Sequence, residues 1–236
     1  MNESDEISSN LFPSMHEPDT TAVKRYTLTL SDYSASLSLP SLKSSAPAPL
    51  VIFFHGAGGE DGGALAQLHN LSETFRFILF APRSGADSWD LLRGGWGEDA
   101  DAVVRQLAWL KNRYTIDDKH IVMAGFSDGA SYALSLGGRC AEVTHIVAWS
   151  PGFYLGNVTG KNIFISHADN DRVLPYCMTQ RMARELEVNN NNLIFRFHQA
   201  GHSVPGTFVE DALHYCLAAD RIGCEQKEPP VKTEKR

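Results

Sequence analysis

No apolar run in this chain approaches the roughly 20 residues that a bilayer-spanning helix requires, so stable membrane insertion is not expected. Basic residues are in the minority. With 21 Lys and Arg against 28 Asp and Glu, the formal net charge is −7, and no basic stripe offers a footing for nucleic acid. Cysteine is scarce as well. Cys140, Cys177, Cys216 and Cys224 form no C-x-x-C pair and no zinc spacing, which favours free thiols in a reducing compartment. The first 22 residues lack an apolar core, and no Lys or Arg precedes Lys24, unlike a secretory or transit peptide. A cytoplasmic location is therefore expected, and the sequons at Asn70 and Asn157 read as chance. An apolar share of 43% and a charged share of 21% are ordinary for a globular domain, so the middle of the chain should hold a core.

Residues 1–22 and 225–236, rich in Ser, Glu, Pro and Lys, read as disordered ends flanking one domain over 23–224. Within it, Tyr26–Leu30 and Ala35–Leu39 alternate apolar and small polar residues, as in an antiparallel hairpin at a sheet edge. A loop is expected over Pro40–Pro49. The runs Leu50–Phe54, Phe77–Phe80, Ile121–Ala124, Ile146–Trp149, Ile163–Ile165 and Leu193–Phe195 are continuously apolar instead. Strands apolar on both faces suit a parallel sheet covered by helices. Amphipathic helices are predicted over Glu98–Tyr114, Thr179–Val188 and Phe208–Ala219. Strands alternating with helices indicate an α/β fold, a mostly parallel doubly wound sheet in a single domain.

The densest chemical signal follows the strand Ile121–Ala124. Gly125-Phe-Ser-Asp-Gly129 fits a nucleophile elbow, where a serine on a sharp strand-to-helix turn lifts its hydroxyl out of the sheet. A serine hydroxyl is a poor nucleophile until a base takes its proton, and the base needs a third group to fix its tautomer. If Ser127 attacks, an acid and then a histidine should follow later strands in that order. After the strand ending at Ser166 comes the loop His167–Pro175, with Asp169 and Asp171. After the strand ending near Phe197 comes Gln199-Ala-Gly-His-Ser-Val-Pro205, which puts His202 on a turn. Only one of the two aspartates can reach the imidazole. A calcium loop over Asp169–Asp171 is excluded by the missing glycine and glutamate. His55, His167 and His198 are its rivals, and His167 suits a role bracing the acid loop.

Attack on an ester generates an oxyanion, which preorganised N–H donors must receive. His55-Gly-Ala-Gly-Gly59, directly after the first buried strand, supplies a turn whose backbone can face the site, and Ala57 N–H is the expected donor there. Asp128 N–H, beside the nucleophile, is the other. A dinucleotide fingerprint from Gly56 fails because position 61 is Asp61, and no Gly-Lys-Ser/Thr follows for a phosphate loop.

Together these residues resemble the α/β-hydrolase superfamily, and more narrowly the phospholipase/carboxylesterase group that includes the acyl-protein thioesterases. The resemblance spans roughly residues 48–220. It implies Ser127 as nucleophile, Asp171 as acid, His202 as base, and Ala57 with Asp128 as oxyanion donors, in an esterase needing neither metal nor cofactor. It also implies a small-molecule or acylated substrate, with thioesterase or lysophospholipase activity as alternatives and a non-catalytic ligand-binding protein as the contrasting class. Two departures stand out: Asp128 replaces the usual glutamine, and Pro82–Trp96 follows no familiar pattern. Trp89 and Trp96, in that loop, are expected to wall the substrate site. The short stretch Ser150–Lys161 leaves no room for a large cap, so the site should be open. Oligomeric state is not legible.

Overall fold

The structure, a computed structural model, describes residues 14–16, 24–30, 33–41, 47–189 and 191–217. The strands in chain order are β1 (Ser14–His16), β2 (Lys24–Leu30), β3 (Tyr33–Leu39), β4 (Ala48–Phe54), β5 (Ile78–Pro82), β6 (Ile116–Phe126), β7 (His145–Trp149), β8 (Asn162–Ala168) and β9 (Asn192–His198). The helices are α1 (Ala64–Phe75), α2 (Glu98–Arg113), α3 (Asp128–Arg139), α4 (Tyr176–Val188) and α5 (Gly206–Leu217). One sheet runs in the order β1-β2-β3-β5-β4-β6-β7-β8-β9. From β5 to β9 every neighbouring pair is parallel, whereas β1, β2 and β3 pair antiparallel at one edge.

The continuously apolar strands resolve into two sets because successive side chains point to opposite faces. Leu50, Ile52, Phe54, Ile121, Met123 and Ile146 pack on one face with Leu107 and Leu110 of α2, Leu134 of α3 and Leu186 of α4. Val51, Phe53, Val122, Ala124, Val147 and Phe164 pack on the other with Leu68 of α1 and Val209 and Leu213 of α5. The sheet is thus covered on both sides, as a parallel sheet requires. Between β7 and β8 the chain forms no helix over 150–161, so nothing caps the carboxyl end of the sheet there.

Some boundaries differ from the sequence reading. β6 begins at Ile116 rather than Ile121, because a register shift after Ala48 lets the polar run Ile116–His120 join the sheet. α1 carries no sequence start signal: its N-cap is Gly63 in a left-handed conformation, without a side-chain cap. The segment expected as a disordered end, 1–22, contains β1, which pairs Met15 with Leu28 and covers the open edge of β2. The expected tail 225–236 lies outside the described residues.

Candidate active site

β6 carries the chain to the carboxyl edge of the sheet, and Ser127 turns it into α3 at φ 54°, ψ −118°. A non-glycine residue held there costs about 1–3 kcal/mol, tolerated only where the surroundings over-determine it. The flanking glycines do this. A Cβ on Gly125 would lie 2.1 Å from Gly129 O, and one on Gly129 would lie 2.0 Å from Phe54 O. The turn closes only because neither has a side chain. Ser131, one turn into α3, ties the elbow to the next loop by accepting the Gly152 N–H at 3.0 Å.

Ser127 Oγ lies 3.1 Å from His202 Nε2, and His202 Nδ1 lies 2.6 Å from Asp171 Oδ2. The His202 ring rests against Phe126, with centroids 4.7 Å apart, and Val204 N–H bonds Gly62 O at 2.9 Å, which pins the loop to the turn before α1. The acid loop is bound to the histidine loop through Asn170, whose side chain accepts the Gly201 N–H at 2.9 Å and donates to Gln199 O at 3.1 Å. Of the two candidate acids, Asp171 contacts His202. Asp169 instead meets Gln199 Nε2 at 3.4 Å on the surface.

Burial acts to raise the Asp171 carboxyl, but the hydrogen bond from His202 and the Leu174 and Val173 N–H groups outweigh it and hold the group below its ordinary range. Those two N–H groups both donate to Oδ1, at 3.0 and 2.8 Å. An ionised carboxylate only accepts, so His202 Nδ1 carries a proton, and in the neutral ring Nε2 is left as an acceptor facing the Ser127 hydroxyl.

His167, fully buried on β8, completes the support of Asp171. Its Nε2 faces Asp171 Oδ2 at 3.2 Å and Leu174 O at 3.0 Å, two acceptors, so that nitrogen carries the proton. Thr179 Oγ1 lies 2.7 Å from its Nδ1, and burial keeps the ring below the usual histidine range. His198 stays apart from Ser127: its Nδ1 accepts the Ala200 N–H and its ring packs on Phe208.

The loop after β4 presses directly on the elbow, for a Cβ on Gly56 would lie 3.2 Å from Ser127 Cβ. Ser84 N–H donates to His55 Nε2 at 3.1 Å, so the His55 proton sits on Nδ1 and is donated to Gly56 O at 2.7 Å. In a trans peptide the Ala57 N–H must then point away from the imidazole. Among the described residues neither the Ala57 nor the Asp128 N–H bonds a protein acceptor. Asp128 N–H is the first donor of α3, where the helix dipole favours negative charge. The Asp128 carboxylate is held by the Ser88 hydroxyl at 2.7 Å.

The tryptophans depart from the sequence reading. Trp89 is 0% exposed and cannot wall an open site. Its ring stacks on Tyr132 at 4.7 Å and meets Phe54 edge-on at 5.0 Å, while its Nε1–H donates to His55 O at 2.8 Å. It anchors the loop to the scaffold. Trp96 packs beside Tyr132 and under the Arg139 guanidinium, on a groove between α2 and α3 that Ser127 does not line. Sequence reasoning missed the carboxylates that shape this loop. Asp99 accepts the N–H groups of Gly85 and Asp90, and Asp90 those of Leu91, Gly97 and Ala100. Among the described residues no group of three His, Cys, Asp or Glu side chains is placed to hold a metal ion.

The layered parallel sheet with a strained serine turn at its carboxyl edge is the α/β-hydrolase fold, and solved structures share it. Over 78% of this chain and 93% of the other, a Bacillus cereus carboxylesterase superposes with a TM-score of 0.60 at 22% identity. An S-formylglutathione hydrolase from Agrobacterium tumefaciens gives 0.66 at 13% identity, over 89% of this chain and all of its own, 100%. A thermostable esterase gives 0.64 at 17% identity over 85% of this chain, which spans only 59% of that protein's length. At such identities the likeness concerns the fold alone. No curated protein matches the chain in sequence. The phospholipase/carboxylesterase family model matches residues 98–218, just over half of the chain. The chain belongs to that family of esterase-type hydrolases.

Proposed function

We propose that this protein is a serine hydrolase that cleaves carboxylic esters through an acyl-serine intermediate. The observation that carries the reading is the unbroken series of contacts from Ser127 Oγ to His202 at 3.1 Å and from His202 to Asp171 at 2.6 Å. In the first step His202 Nε2 takes the Ser127 proton as Oγ attacks the ester carbonyl. The oxyanion that forms is received by the Ala57 and Asp128 N–H groups. Collapse re-forms the carbonyl and breaks the bond between the acyl carbon and the alcohol oxygen, and the alcohol leaves with the proton from His202. Water then enters, gives a proton to the same nitrogen and attacks the acyl carbon; the bond from that carbon to Ser127 Oγ breaks as His202 returns the proton to Oγ, and the carboxylic acid is released. Asp171 holds the tautomer and stabilises the imidazolium throughout.

The strained elbow and the neutral His55 behind the Gly56 carbonyl support this reading, because they position donors before charge develops. The open carboxyl edge over 150–161 suits small or extended acyl substrates. A cytoplasmic setting is part of the proposal, supported by Cys140, Cys177 and Cys216 being free thiols. Among the described residues, no helix is long and apolar enough to cross a membrane.

Hydrolysis of a p-nitrophenyl ester series of increasing acyl length, with a palmitoyl thioester and a lysophospholipid beside it, tests the reading. Turnover that Ser127→Ala lowers by about 10⁶ in kcat is expected. Absence of turnover on every acyl donor, or equal turnover by the variant, would contradict it.

A further inference from the structure

Away from Ser127, between α1 and the edge of the sheet where β3 meets β5, lies a cavity of about 320 Å³. Its origin is a set of small side chains. Ser36, Thr27 and Ala81 sit on the sheet face beneath α1, where longer side chains would reach the helix, while Leu28, Leu37 and Phe80 fill the opposite face. Phe53 and Leu65 form the apolar walls. One end is closed by His69, which bonds the Ser38 hydroxyl at 2.7 Å and stays neutral, its pKa lowered to about 4 by burial and the nearby Arg25. The other end is the reverse side of the loop His55–Gly59.

The charge of the lining is one-sided. Arg83 borders the cavity, its chain fixed by the bond from its N–H to Ser34 O at 2.9 Å, and a Cβ on Gly59 would lie 3.0 Å from its Nη2. Its guanidinium is exposed to solvent, and among the described residues no Asp or Glu lines the space. Arg83 is exposed at the rim, so in a chain of net charge −7 it gives the mouth of an otherwise apolar cavity a positive charge that favours an anion. One guanidinium calls for one carboxylate, and the walls call for a hydrocarbon body. The volume lies at the lower end of the range of small-molecule pockets.

We infer that this cavity binds a small amphiphilic monocarboxylate, with its carboxylate on Arg83 and its chain running between Phe53 and Leu65 toward His69. The site is separate from Ser127 and does not depend on the proposed reaction. A ligand there backs the turn that carries Ala57.

Calorimetric titration of Ser127→Ala protein with octanoate tests this, since that background removes any acyl transfer. Saturable binding is expected. Adding Arg83→Gln should weaken it about tenfold or more, and octanol should bind more weakly than octanoate by a similar factor. Ser36→Leu, which fills the space, should abolish it. Wild-type protein inhibited with diisopropyl fluorophosphate should still bind octanoate. The inference is overturned if Arg83→Gln leaves affinity unchanged, if octanol binds as tightly as octanoate, or if the fluorophosphate blocks the ligand. Failure of the wild type to react with the fluorophosphate would count against the proposed reaction alone, leaving the titration to judge the cavity.

Discussion

Replacing Asp171 by asparagine turns one carboxylate oxygen into an amide nitrogen, and the surroundings dictate which one. Oδ1 accepts two backbone N–H groups, from Val173 and Leu174, so the amide oxygen must take that place. The NH₂ group then occupies the position of Oδ2, facing His202 Nδ1 and His167 Nε2. Donor meets donor at both contacts. His202 is relieved by moving its proton to Nε2, which aims it at Ser127 and removes the base. A histidine held in the wrong tautomer costs such an arrangement about 10⁴ in kcat, equivalent to roughly 5.5 kcal/mol of barrier at 1.36 kcal/mol per tenfold. Steady-state hydrolysis of p-nitrophenyl acetate measures the loss, and circular dichroism confirms that the variant is folded. Asp169→Asn is the matched control, because the Asp169 carboxylate meets Gln199 on the surface and not His202, and its kcat should stay within about twofold of wild type. A folded Asp171→Asn protein with kcat within about tenfold of wild type would refute the assignment. So would a large loss confined to Asp169→Asn.

Trp89→Ala removes a fully buried ring and should cost about 3–5 kcal/mol in urea unfolding; unchanged stability with a raised KM would restore the substrate-wall role. Gly129→Ala forces a Cβ to within 2.0 Å of Phe54 O, so the elbow must shift; the variant should lose both activity and thermal stability, and wild-type kcat would contradict the strained-turn argument. His145 has its pKa lowered from 6.5 to about 4, by burial and then by the charge of His120. The unfolded chain therefore binds the proton first, and this contribution to stability is lost as pH falls from about 6.5 toward about 4. Thermal unfolding followed across that window should have a shallower slope in His145→Gln, and an unaltered slope would remove His145 from the explanation.

The layering was legible because the buried strands are apolar at every position, and period two sorts Ile52 and Phe54 from Val51 and Phe53 without further information. The elbow was legible for a different reason: Gly125 and Gly129 are demanded by backbone contacts that no other residue permits. α1 escaped notice because its start is a left-handed glycine rather than a Ser, Thr or Asp cap. Trp89 was misread because sequence places a residue in a loop but does not say which way a loop side chain turns, and Tyr132 and Phe54 offered an apolar slot. Spacing alone left Asp169 and Asp171 equivalent. They differ through Val173, Leu174 and His167, which surround only Asp171. Asp90 and Asp99 gave no sequence signal, for their oxygens collect backbone N–H groups of the loop before α2, a use that no local pattern announces.

The most direct examination of the central claim is mass spectrometry of the intact protein after diisopropyl fluorophosphate treatment, followed by peptide mapping. The account predicts one adduct, on the peptide containing Ser127, formed much more slowly in His202→Ala and not at all in Ser127→Ala. A folded wild-type protein that stays unlabelled, or that carries the adduct on another residue, would contradict it.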